Sequence, residues 1–372
     1  MYKILGIALR DCNNLAFGDL SVYQFSRGRK LQPNSMKIPS LIPLGTLAAS
    51  AVMMSSAMAQ QLSGAGASFP APIYQRWAAD FGKTNAGVQV NYQSVGSGAG
   101  VKQFTQGTVD FGASDAAMTD EEMAKVAKGV VLIPATAGSI VVAYNLPGVK
   151  DLKLSREALA GIFLGKITKW NDPVIAKDNA GATLPALPIS VAKRSDGSGT
   201  TYVFSIHMSA ISAEFKEDIG VDKSTDAWPV GVGGKGNEGV TALIKQTPGT
   251  IGYVEYGYAE HNGLAMASLQ NKSGNFVKPT PESGAATLAS VTLPENLRIW
   301  PDDPSGANDY PIVTFTWIML YKSYSDTAKL KALKDFVTYG LTDGQKVAPE
   351  LGYIPLPGPV VEKCKAALAT IQ

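Results

Sequence analysis

Short apolar runs alternate with amphipathic segments along residues 60–372, an order typical of strands followed by helices. Residues 130–134 and 139–145 are almost continuously apolar and predict two buried strands, and residues 310–321 predict another. Residues 268–293 are polar and predict irregular structure. Taken together, the alternation predicts an α/β protein with mainly parallel sheets.

Three places in this pattern combine the end of a strand, a turn rich in Gly and Ser, and the start of a helix. The clearest is the segment AKRSDGSGTT at 192–201, which puts Ser198, Gly199 and Thr200 in the first turn of a helix. Backbone N–H groups in a first turn have no helical acceptor and attract anions. Arg194 adds a guanidinium group. The segment therefore predicts either an oxyanion site or an ordinary capped turn.

The other two junctions repeat this arrangement. Ser68 and Phe69 precede a helix that begins near Pro70, and Ser97 is predicted to cap the helix that follows the next strand. Asp115 follows a third strand, at the position where open α/β sheets gather ligands, although it also fits an ordinary Asx turn. Because the arrangement recurs, the sequence favours an anion site over isolated turns.

The beginning of the chain has the features of an export signal. Lys37, an apolar run at 41–54 and an A-x-A motif ending at Ala59 predict a signal peptide at 36–59, cleaved after Ala59, rather than a transmembrane anchor. Residues 1–35 form an upstream extension without a usable pattern. The protein is therefore expected in the periplasm, and the length of the remaining chain predicts two domains.

Removing residues 1–59, here called the leader, changes the net charge of the chain. The leader takes six Lys/Arg and two Asp/Glu from totals of 33 and 31, which leaves a net charge of −2. This charge argues against nucleic acid as a partner, because a polyanion-binding protein is basic. An anion must then be held locally, and Arg194 is one of four arginines beyond residue 59. Cys364 is the sole cysteine beyond that residue, so no intrachain disulfide is expected.

Enzyme sites are weakly indicated. The chain has two histidines, His207 and His261, and no Cys/His cluster with the spacing of zinc ligands. The sequence has neither a G-x-S-x-G elbow nor a P-loop. Ser97 or Ser198 could act as a nucleophile in a phosphatase, but neither has an identifiable base. The sequence therefore indicates no metal site and no complete catalytic group, but it does not exclude catalysis, and a phosphatase is the alternative to a binding protein.

The chain resembles the periplasmic phosphate-binding proteins of phosphate ABC transporters, the PstS family, over nearly all of residues 61–372. The likeness is carried by six segments: GAGASFPAP at 64–72, VGSG at 95–98, VDFGASDA at 109–116, RSDGSGT at 194–200, GGKGN at 233–237 and GYVEY at 252–256. The resemblance implies a type II periplasmic binding protein fold, in which two hinged α/β lobes enclose a ligand cleft. Lobe 1 is expected at 60–145 plus 308–372 and lobe 2 at 146–307.

The resemblance also implies the residues that hold phosphate. They are Ser68, Phe69, Ser97, Asp115, Arg194, Ser198, Gly199 and Thr200, with Ala67 and Asp196 in support. Asp196 would orient Arg194. The carboxylate of Asp115 would require an anion that carries a proton, as phosphate does and sulfate does not.

The biological role follows from the same resemblance. It implies a monomeric periplasmic carrier that is not an enzyme, has no cofactor, and delivers inorganic phosphate to the membrane permease subunits of an ABC transporter. The nearer alternative is the same fold binding sulfate, molybdate or a phosphonate.

Overall fold

The computed structural model describes residues 59–372. The predicted extension at 1–35 and the predicted signal peptide at 36–59 lie outside the described residues, apart from Ala59. Within the described range, no helix combines the length and apolar character needed to cross a membrane. Cys364, the cysteine of this range, is buried and forms no disulfide there.

The strands are short except for two that run through the centre of the molecule. In chain order the described strands are β1 (Gln60–Gly66), β2 (Val88–Ser94), β3 (Phe111–Ser114), β4 (Val130–Tyr144), β5 (Lys153–Leu154), β6 (Ser190–Arg194), β7 (Val232–Gly234), β8 (Thr250–Glu255), β9 (Ala265–Met266), β10 (Ser268–Gln270), β11 (Phe276–Val277) and β12 (Val313–Tyr321).

The helices connect these strands and cover the sheet. The described helices are α1 (Ala71–Thr84), α2 (Ser97–Thr105), α3 (Asp120–Ala124), α4 (Arg156–Phe163), α5 (Pro173–Asp178), α6 (Gly199–Ile211), α7 (Ala213–Asp218), α8 (Gly236–Gln246), α9 (Tyr256–His261), α10 (Pro281–Ala289), α11 (Thr327–Leu341), α12 (Asp343–Lys346) and α13 (Gly358–Ala369), with a 3₁₀ turn at Pro349–Leu351.

One long strand, β4, joins two halves of the main sheet. The strand order is β2-β1-β3-β12-β4-β8-β6-β7, and β9 also pairs with β4. β4 pairs with β12 as far as Ser139 and with β8 from Ile140 onward. We call the part containing β1, β2, β3 and β12 the first sheet half, and the part containing β6, β7 and β8 the second sheet half. β4 belongs to both.

The prediction of two strands at 130–134 and 139–145 is therefore wrong, because β4 is continuous. Pro134 interrupts the apolar pattern but not the strand. It lies opposite Trp317 where the register between β4 and β12 shifts, so its missing N–H is accommodated by the irregularity.

Two further predictions need correction. The main sheet is mixed rather than mainly parallel, because β12 pairs antiparallel with β3 and β4, and β4 pairs antiparallel with β8. Residues 268–293 are not irregular, since they contain β10, β11 and α10, and β10 and β11 form a small sheet with β5. These strands have only two or three residues, too few for an alternating pattern to show in the sequence.

Aromatic stacking attaches two helices to the two sheet halves. Phe104 of α2 stacks on Tyr321 of β12, with ring centroids 4.2 Å apart, and Phe204 of α6 stacks on Tyr253 of β8 at 4.3 Å. All four side chains are buried. Such stacked pairs add to the free energy of burial and restrict how the helix can move. α2 and α6 are thereby held against the two sheet halves.

Gly100 allows α2 to approach the first sheet half closely. A Cβ atom at this position would overlap Gly66 and lie 3.0 Å from the carbonyl oxygens of Ala65 and Ala113. These are backbone atoms that cannot rotate away. Gly82 in α1 offers a matched comparison, because a Cβ atom there would meet nothing within 4 Å.

We expect Gly100→Ala to lower the free energy of unfolding by about 1–3 kcal/mol, because the added methyl group forces α2 away from the strands. Gly82→Ala should raise it by about 0.5–1 kcal/mol, because alanine loses less entropy in a helix. Urea unfolding of both variants measures the difference. Equal effects of the two substitutions would contradict the close packing at Gly100.

Candidate anion-binding site

Each predicted site residue of the first sheet half follows the carboxyl end of a strand. Ser68 and Phe69 link β1 to α1, Ser97 is the first residue of α2 after β2, and Asp115 follows β3. β1 pairs in parallel with both β2 and β3. The three loops therefore emerge at the same edge of the sheet, where ligands bind in open α/β folds.

The predicted residues of the second sheet half are arranged in the same way. Arg194 is the last residue of β6, and Ser198 is the N-cap of α6. The Ser198 hydroxyl oxygen accepts a hydrogen bond from the N–H of Thr201 at 3.0 Å. The strand lies at 190–194, three residues later than the predicted 187–191, and the helix begins at Gly199.

The residues from the two sheet halves are in close contact. Gly98 N–H donates to the carbonyl oxygen of Gly197 at 2.8 Å. A methyl group built on Gly199 would lie 2.6 Å from Ser97 Oγ and 2.7 Å from Asp115 Cβ. The structure thus brings Ser97, Asp115 and the first turn of α6 together, and position 199 has no room for a side chain.

The first turn of α6 and the residue before the N-cap of α1 supply hydrogen-bond donors. Within the described residues, the backbone N–H groups of Phe69, Gly199 and Thr200 donate to no protein acceptor. The prediction that Ser97 caps α2 is wrong by one residue, because the N-cap is Gly96, with φ of 90°. A Cβ atom at Gly96 would also collide with Asp196, which explains why glycine precedes the helix here.

Arg194 is the cationic side chain of the site, and Asp196 fixes its orientation. Arg194 Nε donates to Asp196 Oδ1 at 2.8 Å and Nη2 to Oδ2 at 2.6 Å. Burial raises the pKa of Asp196, but hydrogen bonds and charge from Arg194 outweigh burial and hold that pKa below its ordinary value. A two-bond pair of this kind restricts the guanidinium plane. The remaining nitrogen, Nη1, lies 3.4 Å from Thr200 Oγ1.

Asp115 is the acidic side chain of the site and is fully enclosed. Burial raises its pKa to about 7, and a hydrogen bond from Thr316 and the charge of Arg194 oppose this only partly. Thr316 Oγ1 donates to Asp115 Oδ1 at 2.8 Å, and Trp300 Nε1 donates to the Asp115 carbonyl oxygen at 3.0 Å. Thr316 and Trp300 were not predicted, because they approach from β12 and from the loop before it.

Three tyrosines hold the loop between β1 and α1. Tyr92 donates its phenol proton to the carbonyl oxygen of Ala67 at 2.7 Å, Tyr258 to that of Ser68 at 2.8 Å, and Tyr353 to that of Phe69 at 2.6 Å. Three consecutive carbonyl groups are thereby fixed, which sets the direction of the intervening N–H groups. No role was predicted for these tyrosines, because they come from three distant segments of the chain.

Asn237, the second residue of α8, also belongs to the site. Its Nδ2 lies 2.9 Å from Ser68 Oγ and 3.2 Å from Thr200 Oγ1, so it contacts one hydroxyl from each sheet half. Asn237 falls in the GGKGN segment that carried the resemblance, but no role was predicted for it. Its place in that segment was the one feature of the sequence that could have indicated a role for Asn237 in the site.

The assembled site is suited to a small oxyanion. Its polar side chains are at most 2% exposed: Ser68, Ser97, Asp115, Arg194, Ser198 and Thr200. Hydroxyl, amide and guanidinium donors surround the carboxyl group of Asp115, and the second carboxyl group, that of Asp196, is paired with Arg194. A buried anion is stabilised by such donors, since each replaces a hydrogen bond to water.

Neither histidine lies in the site. Burial lowers the pKa of His207 to about 3, and neither of its ring nitrogens has a hydrogen-bond partner within the described residues. His261 Nδ1 lies 2.7 Å from the carbonyl oxygen of Gly257. The described part of the chain also contains no group of three or more metal-ligating side chains.

Comparison with known proteins agrees with this geometry. A family model described as a PBP superfamily domain matches residues 53–343. The phosphate-binding protein PstS of Pasteurella multocida is 46% identical over 316 residues, covering 84% of this chain and 91% of that protein.

Solved structures share the fold and confirm the predicted periplasmic binding protein architecture. The high-affinity periplasmic phosphate-binding protein PfluDING, bound with phosphate, has a TM-score of 0.69 at 22% identity, covering 82% of this chain and 93% of that chain. A candidate phosphate ABC transporter substrate-binding protein from Clostridium perfringens, with bound phosphate, has a TM-score of 0.58 at 20% identity, covering 80% and 100%.

The raised pKa of Asp115 has a consequence for stability. Between its ordinary value of 3.8 and the folded value of about 7, the folded protein holds a proton that the unfolded chain has released. The free energy of unfolding of the ligand-free protein therefore falls as the pH rises through this window, by up to about 1.4 kcal/mol per pH unit.

Asp115→Asn removes this titration. We expect the variant to gain stability relative to the wild type as the pH rises from about 5 to about 7, because it has no carboxyl group to ionise. Urea unfolding of both ligand-free proteins across this range measures the difference. A difference that stays constant with pH would show that Asp115 titrates at its ordinary pKa.

Proposed function

The chain belongs to the PstS family of phosphate-binding proteins, and on that premise we propose that it captures inorganic phosphate and delivers it to the permease of an ABC transporter. The observation that carries the choice of phosphate is the buried carboxyl group of Asp115, which lies among hydrogen-bond donors and has one oxygen, Oδ1, held by Thr316 Oγ1 at 2.8 Å. An anion that carries a proton can donate a hydrogen bond to this carboxylate.

The proposed phosphate ligands are the predicted ones: Ser68, Phe69, Ser97, Asp115, Arg194, Ser198, Gly199 and Thr200, with Ala67 and Asp196 in support. Each helix N-terminus contributes about 0.3–1 kcal/mol toward an anion, and hydrogen bonds from Arg194 contribute roughly 1.5–3 kcal/mol. These contributions favour any tetrahedral oxyanion, so they do not select phosphate.

Selection rests on Asp115. Monohydrogen and dihydrogen phosphate can donate a proton to this carboxylate, whereas sulfate would leave it unpaired and facing a like charge. A site built around a hydrogen bond rejects the analogue that lacks it by as much as ~10⁴–10⁵-fold. We therefore propose that Asp115 sets the preference for phosphate over sulfate. The helix N-termini and Arg194 cannot set it, because they favour both anions.

We propose that the two sheet halves belong to two lobes, 60–145 plus 308–372 and 146–307, that close on the anion. β4 changes partner between Ser139 and Ile140, and Ile140 N–H donates to the carbonyl oxygen of Ile312 at 2.9 Å, where the chain returns toward β12. The chain thus passes between the two sheet halves at two adjacent places, near Ile140 and near Ile312. Such a pair of connections can act as a hinge, because the lobes can close when the backbone of only a few residues rotates.

The place of action is proposed from the leader sequence. The chain would be exported to the periplasm, cleaved after Ala59, and present its closed form as a monomer to the membrane permease. Closure around the anion gives the permease a surface by which to distinguish loaded from empty carrier.

We propose that the protein is not an enzyme. Among the hydrogen bonds of the described residues, neither candidate nucleophile donates its proton to a basic side chain: Ser97 Oγ accepts from Asp115 N–H at 3.4 Å, and Ser198 Oγ accepts from Thr201 N–H. His207 and His261 contact neither serine among the hydrogen bonds of the described residues. A hydroxyl without a base is a weak nucleophile at neutral pH.

Titration calorimetry of the purified protein, stripped of bound anion by partial unfolding, tests the proposal. We expect one phosphate per chain, and an affinity that a 100-fold excess of sulfate changes by less than about twofold. Binding abolished by sulfate would make the protein a general oxyanion receptor. Absence of phosphate binding, with hydrolysis of a chromogenic phosphate ester that depends on Ser97 or Ser198, would instead support the phosphatase.

A further inference from the structure

We propose that Asn237 is a positioning residue that forces two hydroxyl groups to act as donors toward the bound anion. The inference rests on the proposed phosphate function and deepens it. Asn237 is fully buried at the start of α8 and lies outside the set of predicted ligands. Its effect follows from counting the lone pairs and protons of its neighbours.

The hydroxyl of Ser68 is saturated as an acceptor. Its Oγ accepts from Asn237 N–H at 2.9 Å and from Asn237 Nδ2 at 2.9 Å. A hydroxyl oxygen has two lone pairs and one proton, so these two bonds use its whole capacity to accept. What remains is the Ser68 proton, which can only be donated.

Thr200 is constrained in the same way from the second sheet half. Its Oγ1 accepts from Asn237 Nδ2 at 3.2 Å and from Arg194 Nη1 at 3.4 Å. The two protons of one amide group thus serve two hydroxyls, one from each side of the site. Both hydroxyls are left with a proton to donate and no lone pair with which to accept. In the ligand-free site the Thr200 hydroxyl interacts with the Asp115 carboxyl group, so a bound anion would compete with Asp115 for that proton.

A third contact fixes which way the Asn237 amide faces. Glu255 N–H donates to Asn237 Oδ1 at 2.9 Å, and a backbone N–H can only donate. If the amide were flipped, its nitrogen would face that N–H, and its oxygen would draw the protons of Ser68 and Thr200 away from the anion. The Glu255 backbone therefore excludes the orientation that would cancel the two donors.

The consequence concerns recognition. An anion can accept hydrogen bonds, so hydroxyls locked as donors are already arranged for it and need no reorientation on binding. Hydroxyls that were free to rotate could equally accept from a neutral ligand or from water. Asn237 thereby contributes to affinity without touching the anion.

Asn179 provides a matched control. It is also buried, its Oδ1 accepts from Lys153 N–H at 2.8 Å, and its Nδ2 donates to the carbonyl oxygens of Lys153 and Ile175 at 2.8 Å. It makes the same kinds of bond as Asn237, but to backbone groups outside the site. Asn179→Ala should lower thermal stability and leave phosphate affinity unchanged.

The test is a double-mutant cycle on phosphate affinity, measured by calorimetry. We expect Asn237→Ala to weaken phosphate binding about 10- to 100-fold in the wild-type background. In a Ser68→Ala, Thr200→Val background, where the two hydroxyls are absent, the same substitution should weaken binding less than about threefold. An equal loss in both backgrounds would overturn the inference.

A second variant keeps the test decisive if Asn237→Ala folds poorly. Asn237→Asp retains the size of the side chain and the acceptor for Glu255 N–H, but replaces the donor with an acceptor. The new charge also repels the anion, so the variant is measured in both backgrounds. A positioning role predicts a greater loss of affinity in the wild-type background than in the Ser68→Ala, Thr200→Val background, because only in the wild-type background can the carboxylate recruit the two hydroxyl protons. Equal losses in the two backgrounds would contradict the proposal.

The wild-type titration separates this inference from the proposed function. If the wild type fails to bind phosphate, the proposed function fails. If the wild type binds phosphate and the cycle shows no coupling, only the role of Asn237 fails. Loss of affinity in Asn179→Ala equal to that in Asn237→Ala would likewise count against a specific role.

Discussion

A buried carboxyl group is the constraint on which the rest of this site depends. Asp115 is shielded from water, and its pKa rises to about 7 because burial disfavours the charged form. Thr316 donates to one oxygen and Arg194 supplies a positive charge, so ionisation at neutral pH remains possible. The guanidinium of Arg194 and the backbone N–H groups of Phe69, Gly199 and Thr200 are donors near it, and Asp196 is already paired with Arg194. The result is a site in which one carboxyl group without a cationic partner of its own faces several donors, and this asymmetry matches an oxyanion that carries a proton.

The fold produces this asymmetry from ordinary elements. Parallel strands end at a common edge, short turns follow them, and the first turns of helices face the space between the sheet halves. Contacts from distant segments then remove the remaining freedom. Tyr92, Tyr258 and Tyr353 fix three successive carbonyl groups, Asp196 fixes the guanidinium of Arg194, and the amide of Asn237 spans two hydroxyls. Such preorganisation reduces the ordering that binding itself must supply.

The sequence predicted the local parts of this arrangement better than the long-range ones. The junction at Ser198 was predicted correctly because a cap and its helix are neighbours in the chain. β4 was predicted as two strands because Pro134 resembles a strand end when its pairing with Trp317 at a register shift is unknown. Tyr353 and Thr316 act on residues more than 200 positions away, and no local pattern records such contacts. The resemblance supplied the expected ligand positions, and the structure showed which distant side chains contact those residues.

The most direct measurement is the ratio of phosphate to sulfate affinity in the wild type and in Asp115→Asn, with Asp309→Asn as the control. Asp309 is also buried but accepts from Gly306 N–H, outside the site. If Asp115 selects the anion, its replacement by a neutral amide lowers the ratio at least ~100-fold, mainly through tighter sulfate binding, and the control keeps the wild-type ratio. An unchanged ratio in Asp115→Asn would contradict the account, because selectivity would then arise from the donors alone.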